Sequence, residues 1–381
     1  MAQTTITITA AIWVFIFFLF CTDCDCRSAT SSFSKIYAFG DSFTDTGNTH
    51  SGKGPVPVAF GYVSRPPYGA TFFHHSTNRY SDGRLVVDFL ANTLSLPFLL
   101  PYLNNEASDF SNGVNFAVAG STALDHQFFV RHNISIDVTP QSLSTQLLWF
   151  DTYLKKMGCW KRNSPACRRL LDDALFWVGE IGVNDYAYIT GSSVAPDMVR
   201  SLAVNNVTTF LKALLDRGAN YMVVQGQPLA GCLPLTMYLT TADDRDEIGC
   251  SAISNNYTHT YNTLLQSKLR GLRREYPHSK ISYADYYGAH HAIMKNPTAH
   301  GFSEPFKVCC GAGGGTYNFD VFQTCGSPSV SKACVDPTKF VNWDGVHLTE
   351  AMYKVIAGLF FDHGYCRPSF QDLLKSKGIV A

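Results

Sequence analysis

Short apolar runs that end in polar or glycine-rich turns recur along the chain. Four of them are four or five residues long and contain β-branched or aromatic side chains, which is typical of buried parallel strands. They cover residues 36–39, 174–178, 221–224 and 281–284. The pattern therefore predicts four strands of a mainly parallel sheet.

Helical patterns lie between these runs. Apolar residues recur at spacings of three and four over residues 143–157 and 198–215, and Gly218 is a natural end for the second helix. Residues 243–276 are mixed in character and are interpreted as mostly helix, and Thr349 is a suitable N-cap for a last helix over 350–361. Strands that alternate with helices predict an α/β sandwich.

The first residues resemble a targeting segment. Residues 10–21 are an unbroken apolar run that is too short for a membrane span of about 20 residues. Small residues at Cys24 and Cys26 favour cleavage just before Arg27, so residues 1–26 are interpreted as a signal peptide. Residues 27–381 contain no linker-like stretch and no later run of membrane length, which predicts one soluble, secreted domain without a stable membrane anchor.

The overall charge is balanced. The 381 residues contain 30 basic and 30 acidic side chains, and only 16% are charged. The composition shows no excess of basic residues, and we therefore expect no nucleic-acid partner. Two long segments, 51–80 and 300–340, are interpreted as surface excursions, the second held by cysteines.

Nine cysteines follow the predicted signal peptide, an odd number that leaves at least one without an intramolecular partner. In an oxidising compartment most of them are expected to form disulfides. Proximity in sequence favours Cys159–Cys167 and Cys232–Cys250. A zinc site built from Cys309, Cys310, Cys325 and Cys334 is the alternative for the others, but adjacent cysteines suit tetrahedral geometry poorly. We expect no metal and no cofactor.

Two short motifs at opposite ends of the chain indicate nucleophilic catalysis. Gly40-Asp41-Ser42 follows the first predicted strand, where a tight turn can expose a serine hydroxyl. Near the C-terminus, Asp344 and His347 supply the base that a serine needs and a group to orient that base. Asn184 follows the second predicted strand, so it should reach the same edge of the sheet as Ser42. Asp45 is expected to brace the turn after Ser42.

The order of four sequence blocks carries a family resemblance. The blocks cover residues 39–48, 115–120, 182–185 and 344–347, with further similarity at 67–73 and 81–84. In these blocks and their order, the chain resembles the plant secreted branch of the GDSL (SGNH) esterase/lipase family. The resemblance implies a three-layer α/β/α sandwich of flavodoxin-like type and hydrolysis of carboxylic esters through an acyl-serine intermediate.

The resemblance also implies a role for each matching residue. Ser42 would be the nucleophile, His347 the general base and Asp344 its orienting partner. The backbone N–H groups of Ser42 and Gly120 and the side-chain amide of Asn184 would form the oxyanion hole. If His347 must be neutral, activity should fall in acid near the ordinary histidine pKa of about 6.5. Two departures from the family pattern are Leu348, where proline is usual, and Ala119 and Ser121 beside Gly120.

Residues 309–318 and 333–337 resemble the subgroup of acetylesterases that act on alkaloids, glycosides and choline esters. This likeness implies a short acyl group on a small molecule or polysaccharide. We expect a monomer located outside the cell, in the apoplast or wall, or in the vacuole. An acyltransferase with a sugar or lipid hydroxyl as acceptor and a non-catalytic binding protein remain as alternatives.

Other features of the sequence are interpreted as structural or as sites of modification. Three sequons, at Asn133, Asn206 and Asn256, permit N-glycosylation. The glycine-rich stretch 311–315 is interpreted as a loop, because no P-loop lysine follows it. The histidine pairs at 74–75 and 290–291 are interpreted as exposed loop residues and not as metal ligands.

Overall fold

The computed structural model describes residues 33–50, 61–103, 109–134 and 139–377. The chain divides into two units, Met1–Ser31 and Ser32–Ala381, and every described residue belongs to the second. The predicted signal peptide therefore lies outside the described residues. None of the helices in the described part of the chain is long and apolar enough to cross a membrane.

A six-stranded sheet forms the centre of the fold. The strands of the described residues are β1 (Lys35–Phe39), β2 (Gly113–Asn115), β3 (Ala174–Val178), β4 (Tyr221–Gln225), β5 (Lys280–Ala284), β6 (Glu304–Val308), β7 (Phe340–Asn342) and β8 (Cys366–Arg367). The sheet has the order β2-β1-β3-β4-β5-β8. Its first five strands are parallel, and β8 pairs antiparallel with β5. The four predicted strands are confirmed to within one residue at each end.

The helices of the described residues cover both faces of the sheet. They are α1 (Val86–Thr93), α2 (His126–Arg131), α3 (Leu143–Lys156), α4 (Pro165–Leu171), α5 (Val183–Ile189), α6 (Pro196–Arg217), α7 (Pro234–Leu239), α8 (Ala252–Glu275), α9 (Tyr286–Lys295), α10 (Glu350–Asp362) and α11 (Phe370–Ser376). Gly218 ends α6 in the left-handed conformation, and the Thr349 side chain caps α10, as predicted.

Alternate residues of each strand enter two separate cores. Tyr37 and Phe39 of β1 pack with α3, α6 and α8, whereas Ile36 and Ala38 pack with α1, α9 and α10. The same alternation holds in β3, because strand side chains point to opposite faces in turn. The two cores with the sheet between them confirm the three-layer α/β/α sandwich.

Two parts of the fold differ from the prediction. The segment 243–276 becomes helical only at Ala252, because Ser251 caps that helix and Asp244 and Asp246 bind nearby backbone N–H groups in turns. Strand β2 was missed because it is only three residues long and contains a glycine. A Cβ on Gly113 would lie 1.9 Å from the carbonyl oxygen of Ile36, so only glycine fits against β1.

Four disulfides hold the loops of the fold. The two predicted pairs, Cys159–Cys167 and Cys232–Cys250, are confirmed. The other two are Cys309–Cys334 and Cys310–Cys325. They attach the later part of the segment 300–340 to the residues that directly follow β6, which pairs with β7. Because these four cysteines are paired with one another, the zinc alternative is wrong. Cys366 is the unpaired, buried ninth cysteine.

The described part of the first excursion is not simply a surface loop. Within residues 61–80, Val63, Tyr68 and Tyr80 are buried. Tyr68 and Tyr80 pack with Trp343 and the cysteines of the second excursion in a third, smaller core. The two excursions therefore build one wall next to the carboxyl edge of the sheet.

Candidate active site

The predicted site residues meet where the strand order of the sheet reverses. Ser42 follows β1 and Asn184 follows β3, and β2 lies on the other side of β1. Parallel α/β sheets bind ligands at this point, because the loops after β1 and β3 diverge to opposite faces and leave a crevice. The prediction that Ser42 and Asn184 share one edge of the sheet is confirmed.

The turn after β1 fixes the position of Ser42. The backbone carbonyl of Asp41 accepts hydrogen bonds from the N–H groups of Thr44 and Asp45, and its carboxyl accepts one from Phe43. Beneath this turn, the Gln146 amide accepts from the Gly40 N–H at 3.0 Å and donates to the Gly40 carbonyl at 2.7 Å. The turn is thereby attached to the first half of α3.

A continuous hydrogen-bonded chain joins Ser42, His347 and Asp344. Nε2 of His347 lies 2.7 Å from Oγ of Ser42, and Nδ1 lies 2.8 Å from Oδ2 of Asp344. All three side chains are buried, with 6%, 3% and 1% of the surface of Ser42, His347 and Asp344 exposed. In this geometry the imidazole can take the serine proton while the carboxylate stabilises the resulting imidazolium.

Asp344 is held as a carboxylate by several donors. Its Oδ1 accepts from the backbone N–H groups of Val346 and His347, and its Oδ2 accepts from the Tyr68 hydroxyl at 2.7 Å. Burial raises the pKa of Asp344, but the neighbouring His347 and these hydrogen bonds outweigh burial and lower the pKa below its ordinary value. Tyr68 was not identified from the sequence.

The ring of His347 lies between aromatic side chains. The Tyr80 ring centroid is 4.5 Å from that of His347, and the Phe43 centroid is 5.5 Å away. Just after His347, the Leu348 carbonyl accepts from the Ser81 hydroxyl, and the Leu348 N–H lies 3.4 Å from the Tyr353 hydroxyl. Proline, usual in the family at position 348, has no N–H to donate there.

The block at residues 81–84 fastens the helix that follows His347. Asp82 accepts from the backbone N–H of Glu350, the first residue of α10, at 2.7 Å. The Arg84 guanidinium pairs with the Glu350 carboxylate at 2.7 Å, and the Arg84 N–H donates to the same carboxylate. These contacts fix the start of α10 and with it the loop that contains Asp344 and His347.

The predicted oxyanion residues lie on the other side of Ser42. The side-chain nitrogen of Asn184 donates to Oδ2 of Asp41 and to the carbonyl of Ser121, both at 3.0 Å. Gly120 has a φ of +79°, in the left-handed region that favours glycine. Within the described residues, the backbone N–H groups of Ser42 and Gly120 have no protein acceptor.

Helix α5 holds the Gly120 loop with three side chains. Asn184 donates to Ser121, Asp185 accepts the backbone N–H groups of Ala123 and Leu124, and the Tyr188 hydroxyl donates to the Gly120 carbonyl at 2.7 Å. The spacing of 184, 185 and 188 puts these side chains on adjoining faces of one helical turn. Asp185 and Tyr188 were not identified from the sequence, although this spacing after a strand was a usable signal.

Asp45 braces the turn, as predicted. Its carboxyl accepts from the backbone N–H groups of Gly47, Asn48 and Thr49. It also accepts from Ala119, the residue before Gly120, at 3.1 Å. Asp45 therefore ties the serine turn to the loop on the opposite side of the site.

Three buried carboxyl groups lie beneath the site. Burial raises the pKa of Asp41 to about 6 and that of Asp185 to about 7. Burial, followed by the charge of Asp41, raises the pKa of Glu180 well above its ordinary value. A side-chain hydrogen bond between the Glu180 and Asp41 carboxyls favours a proton on Glu180, whereas the nearby Gln225 side-chain nitrogen has no hydrogen-bond partner in the described structure. Near neutral pH Glu180 therefore retains its proton, Asp185 is partly protonated and Asp41 is mostly ionised.

The remaining candidates from the sequence lie elsewhere. His74 and His75 are exposed, as predicted, but His290 lies buried on α9, and burial lowers its pKa to about 3. The prediction of an exposed loop is wrong at His290, because it occupies the inward face of an amphipathic helix. No group of three or more histidine, cysteine, aspartate or glutamate residues in the described ranges is arranged to hold a metal ion.

The fold, the serine turn and the comparisons define an ester-cleaving α/β enzyme. The chain belongs to the GDSL-like lipase/acylhydrolase family, whose model matches residues 36–360. It is 54% identical to GDSL esterase/lipase At3g48460 of Arabidopsis thaliana over 352 residues, which cover 91% of this chain and 90% of the relative. It is 41% identical to acetylajmalan esterase 2 of Rauvolfia serpentina over 331 residues, covering 85% of this chain and 88% of that protein. The protein is accordingly a carboxylic-ester hydrolase.

Replacing Tyr68 with phenylalanine should slow catalysis without weakening substrate binding. Tyr68→Phe removes a hydrogen bond to the Asp344 carboxylate and leaves a ring of nearly the same shape, so we expect kcat to fall about tenfold with KM nearly unchanged. The variant should also raise the pKa of Asp344, so its activity should start to fall at a higher pH than in the wild type. Steady-state kinetics across pH, with the half-exposed Tyr238→Phe as control, check this. A raised KM with unchanged kcat would instead place Tyr68 in substrate binding.

The buried acids should make the protein less stable as pH rises. The pKa of Asp41 is about 6 in the folded state against an ordinary 3.8, so folding favours the protonated form. The contribution of Asp41 to the free energy of unfolding is therefore largest below about pH 4 and is lost as the pH rises through about 6. This difference corresponds to about 3 kcal/mol in the free energy of unfolding.

Urea denaturation at several pH values tests this expectation. The free energy of unfolding should decline between about pH 4 and pH 7 in the wild type. Glu180→Gln, whose amide cannot ionise, should show a shallower decline. If the free energy of unfolding declined equally steeply with pH in both proteins, Glu180 would not contribute to the pH dependence of stability.

Proposed function

We propose that this protein is a secreted serine esterase that hydrolyses carboxylic esters of acetyl or other short acyl groups through an acyl-serine intermediate. The observation that carries the proposal is the 2.7 Å contact between Oγ of Ser42 and Nε2 of His347, continued to Asp344. A serine becomes an effective nucleophile only with a base at such a distance. Ester hydrolysis itself follows from the family.

The proposed reaction proceeds in two halves. Oγ of Ser42 attacks the ester carbonyl carbon while its proton passes to Nε2 of His347. The tetrahedral intermediate then collapses, the bond to the alcohol oxygen breaks, and His347 returns the proton to the leaving alcohol. A water molecule, deprotonated by His347, attacks the acyl-serine in the same way and releases the acid and free Ser42.

The negative oxygen of each intermediate would bind to the N–H groups of Ser42 and Gly120 and to the amide of Asn184. Support comes from the first two N–H groups, which are free of protein acceptors in the described structure. Asn184 uses its nitrogen for Asp41 and Ser121, so donation to substrate requires that one of these bonds be exchanged or shared. Each oxyanion donor is typically worth about 3 kcal/mol of transition-state stabilisation.

A short acyl group is supported by the relatives and by the site. One relative, 41% identical over 331 residues, is called an acetylajmalan esterase, a name that indicates an acetyl ester. The aromatic rings of Tyr80 and Phe43 against His347 leave the reacting nitrogen close to Ser42 and enclosed by bulky groups. We therefore propose acetyl or similarly short acyl esters of a small molecule or polysaccharide as substrates.

Secretion is supported by the sequence and by the disulfides. Four disulfides are typical of proteins that mature in an oxidising compartment. We propose that residues 1–26 are removed as a signal peptide and that residues 27–381 act as a single monomeric domain outside the cell or in the vacuole.

Esterase assays on short and long acyl chains test the proposed mechanism. Wild type should hydrolyse p-nitrophenyl acetate and butyrate much faster than palmitate. Ser42→Ala should lose at least about a thousandfold in kcat, because the nucleophile is removed. Ser201→Ala, an exposed serine on α6, is the matched control and should retain full activity.

The same assay with added glycerol distinguishes the alternatives. Acyl-glycerol as the main product would favour an acyltransferase. Absence of any turnover by a folded wild-type protein would favour a binding protein on the same fold. Palmitate cleaved as fast as acetate would contradict the short-chain assignment.

The exposure of the sequons predicts which of them bear glycans. Asn133 and Asn256 are exposed, whereas the Asn206 side-chain nitrogen donates to the Ala123 carbonyl at 3.0 Å. A glycan on that nitrogen would remove a contact that holds the Gly120 loop. Mass spectrometry of glycopeptides from the secreted protein should find Asn133 and Asn256 modified and Asn206 unmodified. A fully occupied Asn206 in active enzyme would refute this assignment.

A further inference from the structure

One surface segment is strongly basic although the protein as a whole is neutral. Residues 155–169 contain six basic side chains and no acidic one, against 30 of each in the full chain. We call the exposed side chains of this segment the basic surface: Lys155, Lys156, Trp160, Lys161, Arg162, Arg168 and Arg169. The net charge of zero for the whole chain does not reveal this local cluster of basic residues.

The basic surface has acidic residues in its neighbourhood: Asp172 and Asp173 follow α4, and the Tyr276 hydroxyl near Arg162 donates to Asp216. None of its six cations forms an ion pair with an acidic side chain in the described residues. Acidic residues of adjoining elements pair elsewhere, Asp151 with Arg217, Glu275 with Lys212 and Asp173 with Lys377. Cations that lack internal partners remain available to an anionic ligand.

An aromatic side chain projects from the middle of this surface. Trp160 is 76% exposed, and Met157 beside it is 44% exposed. A ligand that covered this large ring would remove a large apolar area from water. The Cys159–Cys167 disulfide joins the end of α3 to α4 around Trp160, and the Ser164 side chain caps α4. The aromatic ring and the cations are therefore displayed on a braced loop.

The basic surface lies at the edge of the sheet opposite the candidate active site. Helix α3 contacts the serine turn through Gln146 near its start, and the rest of the helix, to Lys156, extends about 15 Å away. Helix α4 leads directly into the beginning of β3, whose far end precedes Asn184. A ligand on this surface would leave the site around Ser42 open.

We propose that the basic surface docks the protein onto an acidic polysaccharide, a chain of sugars that bear carboxylates. Arginine and lysine pair with the carboxylates, and the flat face of a sugar ring packs on the Trp160 indole. Charge complementarity and the exposed aromatic ring together select this partner. The proposal is independent of the ester that the active site cleaves.

Two other polyanions fit the observations less well. Anionic lipids are concentrated in the cytoplasmic leaflet, whereas four disulfides indicate an oxidising compartment. One tryptophan and one methionine also form a small apolar area for membrane insertion. Nucleic acid belongs to compartments in which such disulfides are rare.

Binding of the full-length mature protein to polygalacturonate tests the proposal. Wild type should bind this polymer, and its affinity should fall as salt is added. It should bind two uncharged polymers, dextran and fully methyl-esterified polygalacturonate, at least about tenfold more weakly. Lys161→Glu/Arg162→Glu should weaken binding at least about tenfold, and Trp160→Ala severalfold with the charge unchanged. Hydrolysis of a short soluble ester should be unchanged in each variant, which shows that it is folded.

A matched variant separates the local surface from net charge. Lys295→Glu/Lys332→Glu makes the same charge change at exposed lysines that lie outside the segment and form no ion pair in the described structure. This control should bind polygalacturonate like the wild type. Three results would overturn the proposal. They are equal loss of affinity for polygalacturonate in both double variants, equally tight binding to the methyl-esterified polymer, and binding only to phosphatidylserine vesicles.

Discussion

The hydrogen bond between Ser42 and His347 joins two parts of the chain that are 305 positions apart, and much of the surrounding structure maintains it. Closing so long a loop costs conformational entropy, and a shift of about 1 Å at either end would break the contact. Each end is therefore fixed separately. Gln146 and Asp45 hold the serine turn, whereas Tyr68, Asp82 and Arg84 hold the loop and helix around His347. Most of these holding groups are side chains from distant segments, and through Tyr68 the first excursion is part of the site.

The hydrogen-bonded chain of Ser42, His347 and Asp344 could be predicted from the sequence, because each residue lies beside a recognisable local signal. Ser42 and Asn184 follow apolar strands, and Asp344 and His347 are only three positions apart. The sheet could be predicted where strands are long and apolar, as at Ala174–Val178. It could not be predicted at β2 or β8, because strands of two or three residues have no periodicity to detect. The disulfides that close short loops were predicted for a similar reason, since proximity in sequence limits the choice.

Tyr68 and Glu180 could not be predicted as parts of the site, and the contacts that Asp185 makes could not be predicted either, because their partners come from distant segments. Tyr68 meets Asp344 across 276 positions, and Asp185 meets Ala123 across 62. Glu180 follows a strand, like Ser42, but only the fold shows that it is fully buried beside Asp41. A buried carboxyl beside Asp41 opposes stability, and it persists next to the turn that presents the serine. This is the pattern expected where local stability is given up at a functional site.

The two edges of the sheet differ in what they expose, and this difference follows from how a parallel sheet is built. At the carboxyl edge, loops converge and bury charged groups in a hydrogen-bonded network, so the reactive side chains there are mostly covered and geometrically fixed. At the opposite edge, the ends of helices and the connections into the strands meet solvent, and there the basic side chains have no internal partner in the described structure. The packed core lies between the two edges, and the two sets of side chains belong to opposite ends of the strands and of α3. Attachment at one edge and ester cleavage at the other can therefore change independently, so substitutions in the basic surface should alter where the enzyme is retained without altering the rate at which it turns over a soluble ester.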